Sequence, residues 1–214
     1  APSDLGARDA ASTSSSQPGV PTHITQRGVN RMPCFSCDDD RAFYLELLGT
    51  LARDTGCVLH AYVLMTNHVH LLLTPETADA TTQLMMRLGQ RYVRAINRAH
   101  GRTGTLWEGR FHSSPARDEA YVLTCYRYIE LNPVRAGIVQ HPAEYPWSSY
   151  RANTGRTPTQ MLVPHERYLA LGGDDASRRR AYAALVADGL SDTALATIRR
   201  ATQSNIALDV EDKR

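Results

Sequence analysis

Two strand-like segments separated by only two residues constrain the fold of this chain more than any other feature. Residues 58–65 and 68–74 are rich in apolar side chains, and only Thr66 and Asn67 lie between them. Strands joined by so short a turn pair in antiparallel fashion. The sequence therefore predicts a β-hairpin that belongs to an antiparallel sheet.

Further segments on both sides of this hairpin complete a regular order of elements. Residues 23–27 and 105–113 are strand-like, and a helix is predicted between Asp40 and Gly56 and over residues 77–100. This β-α-β-β-α-β order predicts an α+β fold with a ferredoxin-like (RRM-like) antiparallel sheet and two helices on one of its faces. The other face is expected to be open or covered by later elements.

An additional helix is predicted over residues 118–131, immediately after this pattern. Pro133 disfavours helical geometry at the residue before it, so this helix is expected to end close to Asn132. Residues 21–150 then form the main domain, and residues 151–214 form a C-terminal helical extension. Residues 1–20 are rich in Ser, Ala, Asp and Gly and predict a disordered leader.

Composition and hydropathy exclude several classes of protein. Hydrophobic residues make up 42% of the 214 residues and charged residues 21%, which permits a packed core. No apolar run approaches the roughly 20 residues of a membrane-spanning helix, and the first 20 residues lack a secretory pattern. We therefore expect a cytoplasmic protein without a membrane partner, whose four cysteines, Cys34, Cys37, Cys57 and Cys125, carry free thiols.

Two histidines in the second strand of the hairpin are the sharpest chemical feature. His68 and His70 are two residues apart, so their side chains point to the same face of a strand. Two neutral imidazoles supply half of a coordination shell for Mg²⁺, Mn²⁺ or Zn²⁺. The alternative is a pair of half-exposed strand histidines without a ligand.

A tyrosine and an asparagine one helical turn apart form the second candidate. Tyr128 and Asn132 share a helix face. A tyrosine beside a cation-bound phosphate can attack phosphorus, and an asparagine oxygen can complete a cation shell. The alternative is that Tyr126 and Tyr128 both pack in the core.

Arginine carries nearly all of the positive charge, because Lys213 is the only lysine. A 4-3-4 spacing places four arginines in one stripe along the predicted helix over residues 77–100: Arg87, Arg91, Arg94 and Arg98. Tyr92, Trp107 and Phe111 lie near this stripe, and interleaved arginines and aromatics are typical of nucleic-acid surfaces. A solvated helix face is the alternative.

Four segments of the chain form a recognisable set in order and spacing: T-H-I-T-Q-R-G at 22–28, M-T-N-H-V-H-L-L at 65–72, G-T-L-W-E-G-R-F at 104–111 and Y-R-Y-I-E-L-N-P-V-R-A-G at 126–137. Together they resemble the single-tyrosine HUH transposases, specifically the REP-associated tyrosine transposases of bacteria. The resemblance is strong over residues 21–150 and looser beyond them.

This resemblance implies an enzyme and its site. It implies that His68, His70 and Asn132 bind one divalent cation, Mg²⁺ or Mn²⁺. It implies that Tyr128 attacks a single-strand phosphodiester, stays linked to the 5′-phosphate and releases a 3′-hydroxyl. Rejoining reverses this step and needs no nucleoside triphosphate, which agrees with the lack of a phosphate-binding glycine loop in the sequence.

The resemblance also implies a partner, single-stranded DNA folded into palindromic hairpins, and hence a nucleoid-associated location in bacteria. Arg27, Arg110 and the arginine stripe are the candidate DNA contacts. Chain length and the extension favour a monomer over the helix-exchanging dimers of related transposases. A hairpin-binding protein that no longer cuts is one alternative, and an RNA-binding module of similar fold is another. The joint presence of the two histidines, Tyr128 and Asn132 favours the enzyme.

Overall fold

A four-stranded antiparallel sheet forms the centre of the protein. The computed structural model describes residues 16–204 and 206–208, so most of the predicted leader lies outside the described residues. The strands, in chain order, are β1 (Thr22–Arg27), β2 (Cys57–Leu64), β3 (His68–Pro75) and β4 (His112–Pro115). Their spatial order is β2-β3-β1-β4, and the predicted hairpin is confirmed as the β2–β3 pair.

Helices cover this sheet and follow it in the chain. The two long ones between the strands are α1 (Asp38–Asp54) and α2 (Ala80–Ala99). The later ones are α3 (Ala120–Glu130), α4 (Asn132–Arg135), α5 (Tyr150–Asn153), α6 (Glu166–Leu169), α7 (Asp175–Ala187) and α8 (Asp192–Ser204). The predicted α+β fold with its β-α-β-β-α-β order is confirmed. Within the described residues, no helix has the length and apolar character to cross a membrane.

Alternation along β3 divides the molecule into two cores. Val69, Leu71 and Leu73 face α1 and α2, where buried side chains of α2 such as Leu88 pack against them. Leu72 faces the opposite side of the sheet. Because successive strand residues point to opposite faces, His68 and His70 share the side of Leu72. The histidine pair therefore lies on the face that α1 and α2 do not cover.

The face of the sheet opposite α1 and α2 is covered by α3 and by the C-terminal helices. Of the two arrangements expected from the sequence, an open face or one covered by later elements, the structure has the second. Tyr126 of α3 is fully buried there, with its ring centroid 6.2 Å from that of Tyr168 and 5.9 Å from that of Tyr182. Val186 and Ile198 belong to the same core. The extension thus packs on the sheet, while the division at residue 150 stays a prediction.

The fourth strand differs from its predicted bounds. The expected strand over residues 105–113 is wrong, since β4 begins only at His112. Trp107 makes no more than an isolated bridge with Gly28, and Gly109 has a φ of +67° that turns the chain away from strand geometry. The apolar residues at 106 and 107 are buried in the first core without belonging to a strand.

The break after α3 places two of the candidate residues. The last helical residue of α3 is Glu130, and Pro133 lies in the first turn of α4, where its missing N–H costs no hydrogen bond. The predicted end of the helix near Asn132 is confirmed. Asn132 consequently begins a new helical turn shortly after Tyr128.

Candidate active site

The turn between β2 and β3 fixes the first histidine. The Nδ1 atom of His68 lies 2.7 Å from Oδ1 of Asn67, while Nδ2 of Asn67 donates to the carbonyl oxygen of Arg31 at 3.1 Å. Since the Asn67 amide nitrogen is used elsewhere, its oxygen accepts, and Nδ1 of His68 carries the hydrogen. The Nε2 lone pair of His68 is then the one available to a cation.

Strand β1 fixes the second histidine from the opposite side. Nδ1 of His70 lies 2.9 Å from Nε2 of His23 and 3.0 Å from Oγ1 of Thr25. The register explains this contact, because Thr25 pairs directly with His70 across the β1–β3 ladder. Hydrogen bonds at Nδ1 orient the ring and leave Nε2 of His70 as the candidate cation ligand.

All three imidazoles are held neutral. Burial lowers the pKa of His23 to about 3 and that of His68 to about 4, with further lowering from Arg135 and Arg27 respectively. Burial also lowers the pKa of His70 well below its usual value. Neutral imidazole is the form that binds a metal ion, so the donor set of His68 and His70 fits a divalent cation.

Tyr128 and Asn132 meet the histidines on this face. The ring centroid of Tyr128 lies 5.7 Å from the ring centroids of both His70 and His23, and the His68 and His70 rings are 5.0 Å apart. Tyr128 is 7% exposed and Asn132 is 9% exposed, and both side chains line the same cavity as the histidines. Tyr128 and Asn132, which were predicted to share a helix face, thus lie opposite the two histidines of β3.

This cavity has a volume of about 530 Å³ and a basic lining. Arginines from three parts of the chain reach it, from β1, from α4 and from α8. A single carboxylate is among its lining residues. The lining residues besides the histidine pair, Tyr128 and Asn132 are Thr25, Arg27, Glu108, His112, Arg135, Ala136, Arg199 and Thr202.

The arginine stripe lies elsewhere. Its four members project from α2, which packs on the other face of the sheet. Arg91, Arg94 and Arg98 line a separate open depression of about 340 Å³, and Arg87 is 4.0 Å from Asp54. Arg110 is exposed between the Trp107 bridge and β4 and is not among the residues that line the 530 Å³ cavity. Of the arginines predicted from sequence, Arg27 alone lines that cavity.

The aromatics expected to interleave with the stripe are not available to bases. Tyr92 is fully buried and donates its hydroxyl hydrogen to the carbonyl oxygen of Cys34, and Trp107 is 6% exposed. Phe111 packs partly against the same core. The expectation of aromatic stacking beside the stripe is therefore wrong for Tyr92 and Trp107.

A second cluster of potential metal ligands has a structural explanation. Ligand atoms of Cys37, Asp40 and His100 lie within 4.8 Å of one another. Asp40 accepts from the amides of Ser36 and Cys37 at the start of α1, and its other oxygen is 2.9 Å from Nε2 of His100. Burial opposes ionisation of Asp40, but these hydrogen bonds prevail and lower its pKa. The carboxylate thus caps α1 and ties it to the end of α2.

Sequence reasoning gave no role in the site to His23, Arg135 or Arg199, and it considered Thr25 only as a possible hairpin contact within the segment Thr25-Gln26-Arg27. For His23 and Thr25 a signal existed, since they alternate in β1 and would face His70 if β1 paired with β3 in this register. For Arg199 there was none, because nothing in the sequence places α8 over the sheet.

The fold and the cavity together define an α+β protein with a histidine–tyrosine site on one face of an antiparallel sheet. The chain belongs to the IS200-like transposase family, whose model matches residues 16–132. No curated protein matches the chain.

Solved structures include proteins of similar fold. One is a REP-associated tyrosine transposase bound to a REP hairpin, with 19% identity over 74% of this chain and 88% of that chain and a TM-score of 0.56. Another is a candidate transposase from Deinococcus radiodurans R1, with 23% identity over 52% of this chain and 88% of that chain and a TM-score of 0.39. The first of these supports the α+β fold described above.

Proposed function

We propose that this transposase cuts and rejoins single-stranded DNA at hairpins formed by palindromic repeats, through a covalent bond between Tyr128 and a 5′-phosphate. The observation that carries the proposal is the convergence of Tyr128, His68, His70 and Asn132 on one basic cavity. The family to which the chain belongs supports action on DNA. The hairpin as partner is taken from the hairpin-bound transposase of similar fold.

In the proposed reaction the phenol oxygen of Tyr128 forms a bond to phosphorus while the bond from phosphorus to the 3′-oxygen breaks. The phenol gives up its proton, and the departing 3′-oxygen takes one up, so charge and atoms balance. The bond exchange conserves one phosphodiester, and the 3′-hydroxyl of another strand end can reverse it. No nucleoside triphosphate is consumed.

His68, His70 and Asn132 are the residues proposed to hold a divalent cation, Mg²⁺ or Mn²⁺. When bound, such a cation supplies Lewis-acid polarisation of the phosphate and a template for in-line attack. The contribution of this chain is orientation: Asn67 fixes the tautomer of His68, and His23 and Thr25 hold the ring of His70 in place. Arg27, at the rim of the same cavity, is proposed to contact the DNA backbone.

Each chain carries the complete set of proposed site residues, which supports a monomer as the active form. Arg87, Arg91, Arg94, Arg98 and Arg110 are proposed to contact DNA outside the cavity. A nucleoid-associated location in the bacterial cytoplasm follows from such a partner.

Covalent trapping tests the proposal. The protein is incubated with Mn²⁺ or Mg²⁺ and 3′-labelled single-stranded hairpins taken from repeats that flank its coding region, and a denaturing gel is run. We expect a labelled protein band that disappears in Tyr128→Phe and persists in Tyr121→Phe, a matched control on the same helix that lies outside the cavity. A band that persists in Tyr128→Phe contradicts the assignment. Hairpin binding without any band in the unmodified protein favours a protein that binds and does not cut.

A further inference from the structure

Arg135 has an unusual environment between α3 and the cavity. Its Nη2 atom donates to the carbonyl oxygen of Tyr128 at 2.7 Å, and its Cζ atom lies 4.2 Å from the centroid of the Tyr128 ring. These two contacts hold the guanidinium against the proposed nucleophile, Tyr128. One is a hydrogen bond to its backbone, and the other is a cation–π contact with its ring.

One nitrogen of this guanidinium is left without a partner. Nη1 of Arg135 is buried and forms no hydrogen bond with any of the described residues. A buried donor without an acceptor is costly, and the cost is greater for a charged group. Arg135 lines the 530 Å³ cavity, so an acceptor that enters the cavity can reach its guanidinium group.

The charges around Arg135 favour an anion as that acceptor. Arg27 and Arg199 line the same cavity, and Glu108 is the one carboxylate among its lining residues. Burial lowers the pKa of Arg135, the neighbouring Tyr128 opposes this shift, and the charge of Arg199 lowers the pKa further. An oxyanion placed in this cavity would neutralise part of the excess positive charge.

We propose that Arg135 is a catalytic residue whose guanidinium donates a hydrogen bond to a non-bridging oxygen of the phosphodiester that Tyr128 attacks. This inference rests on the proposed function. As the bond from the tyrosine oxygen to phosphorus forms and the bond to the 3′-oxygen breaks, negative charge accumulates on the non-bridging oxygens, where a fixed cationic donor stabilises it. The guanidinium takes no proton in this step and gives none.

The backbone contact makes this arrangement specific. Because Nη2 is bound to the carbonyl oxygen of Tyr128 itself, the donor and the nucleophile are carried by one rigid unit. A phosphate that binds this guanidinium is therefore placed at a defined position relative to the tyrosine. Lysine cannot reproduce this geometry, since its ammonium lacks the planar fork that serves two acceptors at once.

If Arg135 only linked α3 to α4, its replacement would change thermal unfolding rather than the rate of adduct formation in the folded protein. Adduct formation is measured under single-turnover conditions with the labelled hairpin, at saturating protein and cation. Arg151→Gln is the matched control, because Arg151 is also half-buried and donates to a backbone carbonyl, that of Ala143 at 2.7 Å, and neither residue lines the cavity. Hairpin affinity and thermal unfolding are measured for each variant.

We expect Arg135→Gln to slow adduct formation by about 100-fold or more, with hairpin affinity and unfolding temperature close to those of Arg151→Gln. Added guanidinium should restore part of the rate to Arg135→Ala and none to Tyr128→Phe. An adduct rate in folded Arg135→Gln within threefold of the unmodified protein overturns the inference and leaves the proposed function standing. If Arg135→Gln does not fold, Arg135→Lys decides: a fall of tenfold or more is expected, and an unchanged rate overturns the inference. Absence of any adduct in the unmodified protein overturns the proposed function itself.

Discussion

The hydroxyl of Tyr182 donates to Oε2 of Glu130 at 2.6 Å, which joins α7 of the C-terminal extension to the helix that carries Tyr128. The other carboxylate oxygen of Glu130 accepts from Ser149 at 2.5 Å and from Asn153 at 2.7 Å. Glu130 is fully buried, and burial raises its pKa to about 7 although these three donors oppose the shift. One carboxyl group thus connects four parts of the second core.

This shift predicts a dependence of stability on pH. Between pH 4.5, the ordinary value for this carboxyl, and about 7, the folded protein keeps a proton that the unfolded chain has released. The free energy of unfolding therefore falls as pH rises through this window, by on the order of 3 kcal/mol from this group. In Glu130→Gln, this pH-dependent part of the free energy of unfolding should be absent. Urea titrations at pH 5 and pH 8 would measure the difference.

Tyr182→Phe provides the control for this prediction. It keeps the carboxyl group but removes a donor that lowers the pKa of Glu130, so the fall in stability should extend to higher pH. If Glu130→Gln and the unmodified protein show the same dependence on pH, the carboxyl group is ionised in the folded protein throughout this range.

Removal of the histidine pair should separate cutting from binding. We expect His68→Ala or His70→Ala to abolish the covalent adduct while hairpin affinity changes by no more than a few fold, because the imidazoles are proposed to hold the cation rather than the DNA. EDTA should have the same effect on the unmodified protein. Undiminished cleavage by the doubly substituted protein in EDTA would rule out the cation site.

His23 should act on cation affinity through His70. Its Nε2 lies 2.9 Å from Nδ1 of His70 and helps to orient that ring, so His23→Ala is expected to weaken Mn²⁺ binding by about 10- to 100-fold. His23→Gln, whose side-chain amide can form a hydrogen bond with the same Nδ1 atom, should recover part of the loss. Calorimetric titration with Mn²⁺ measures both, and equal affinity in all three proteins would show that the contact has no influence on the ligand.

The arginine stripe should govern salt dependence without governing chemistry. If Arg91 and Arg94 contact phosphates, the double change to Gln should reduce the slope of log affinity against log salt by about 1.4 for a single strand, roughly 0.7 per contact. The adduct rate at saturating DNA should be unchanged, since these residues lie on the face of the sheet opposite the cavity. Arg53→Gln with Arg180→Gln removes the same charge elsewhere, and an equal slope for both double variants would mean that the stripe is solvated.

Local pattern was sufficient for the hairpin and for α2. The residues of α2 that recur at helical spacing, Leu84, Leu88, Tyr92 and Ile96, are all in the core. The two histidines were expected to share a face, and they do, because strand alternation depends on nothing beyond the strand itself. The end of α3 followed from Pro133 for the same local reason.

Long-range packing determined those features of the structure that local sequence pattern could not predict. The strand expected over residues 105–113 fails because Leu106 and Trp107 satisfy their apolar surface in the first core and need no ladder. The partners of Glu130 come from residues 149, 153 and 182, which only the folding of the extension onto the sheet brings together. For the same reason Arg199 could not be placed in the cavity from sequence.

The position of Tyr128 against the histidines of its own chain bears on how defective copies would behave together. Its ring lies 5.7 Å from that of His70 within one polypeptide, so no helix from another copy is required to complete the set. Mixing His70→Ala with Tyr128→Phe should therefore give no complementation. In a cell that produces both variants, each protein would remain inactive. Only a polypeptide that carries both His70 and Tyr128 would restore activity.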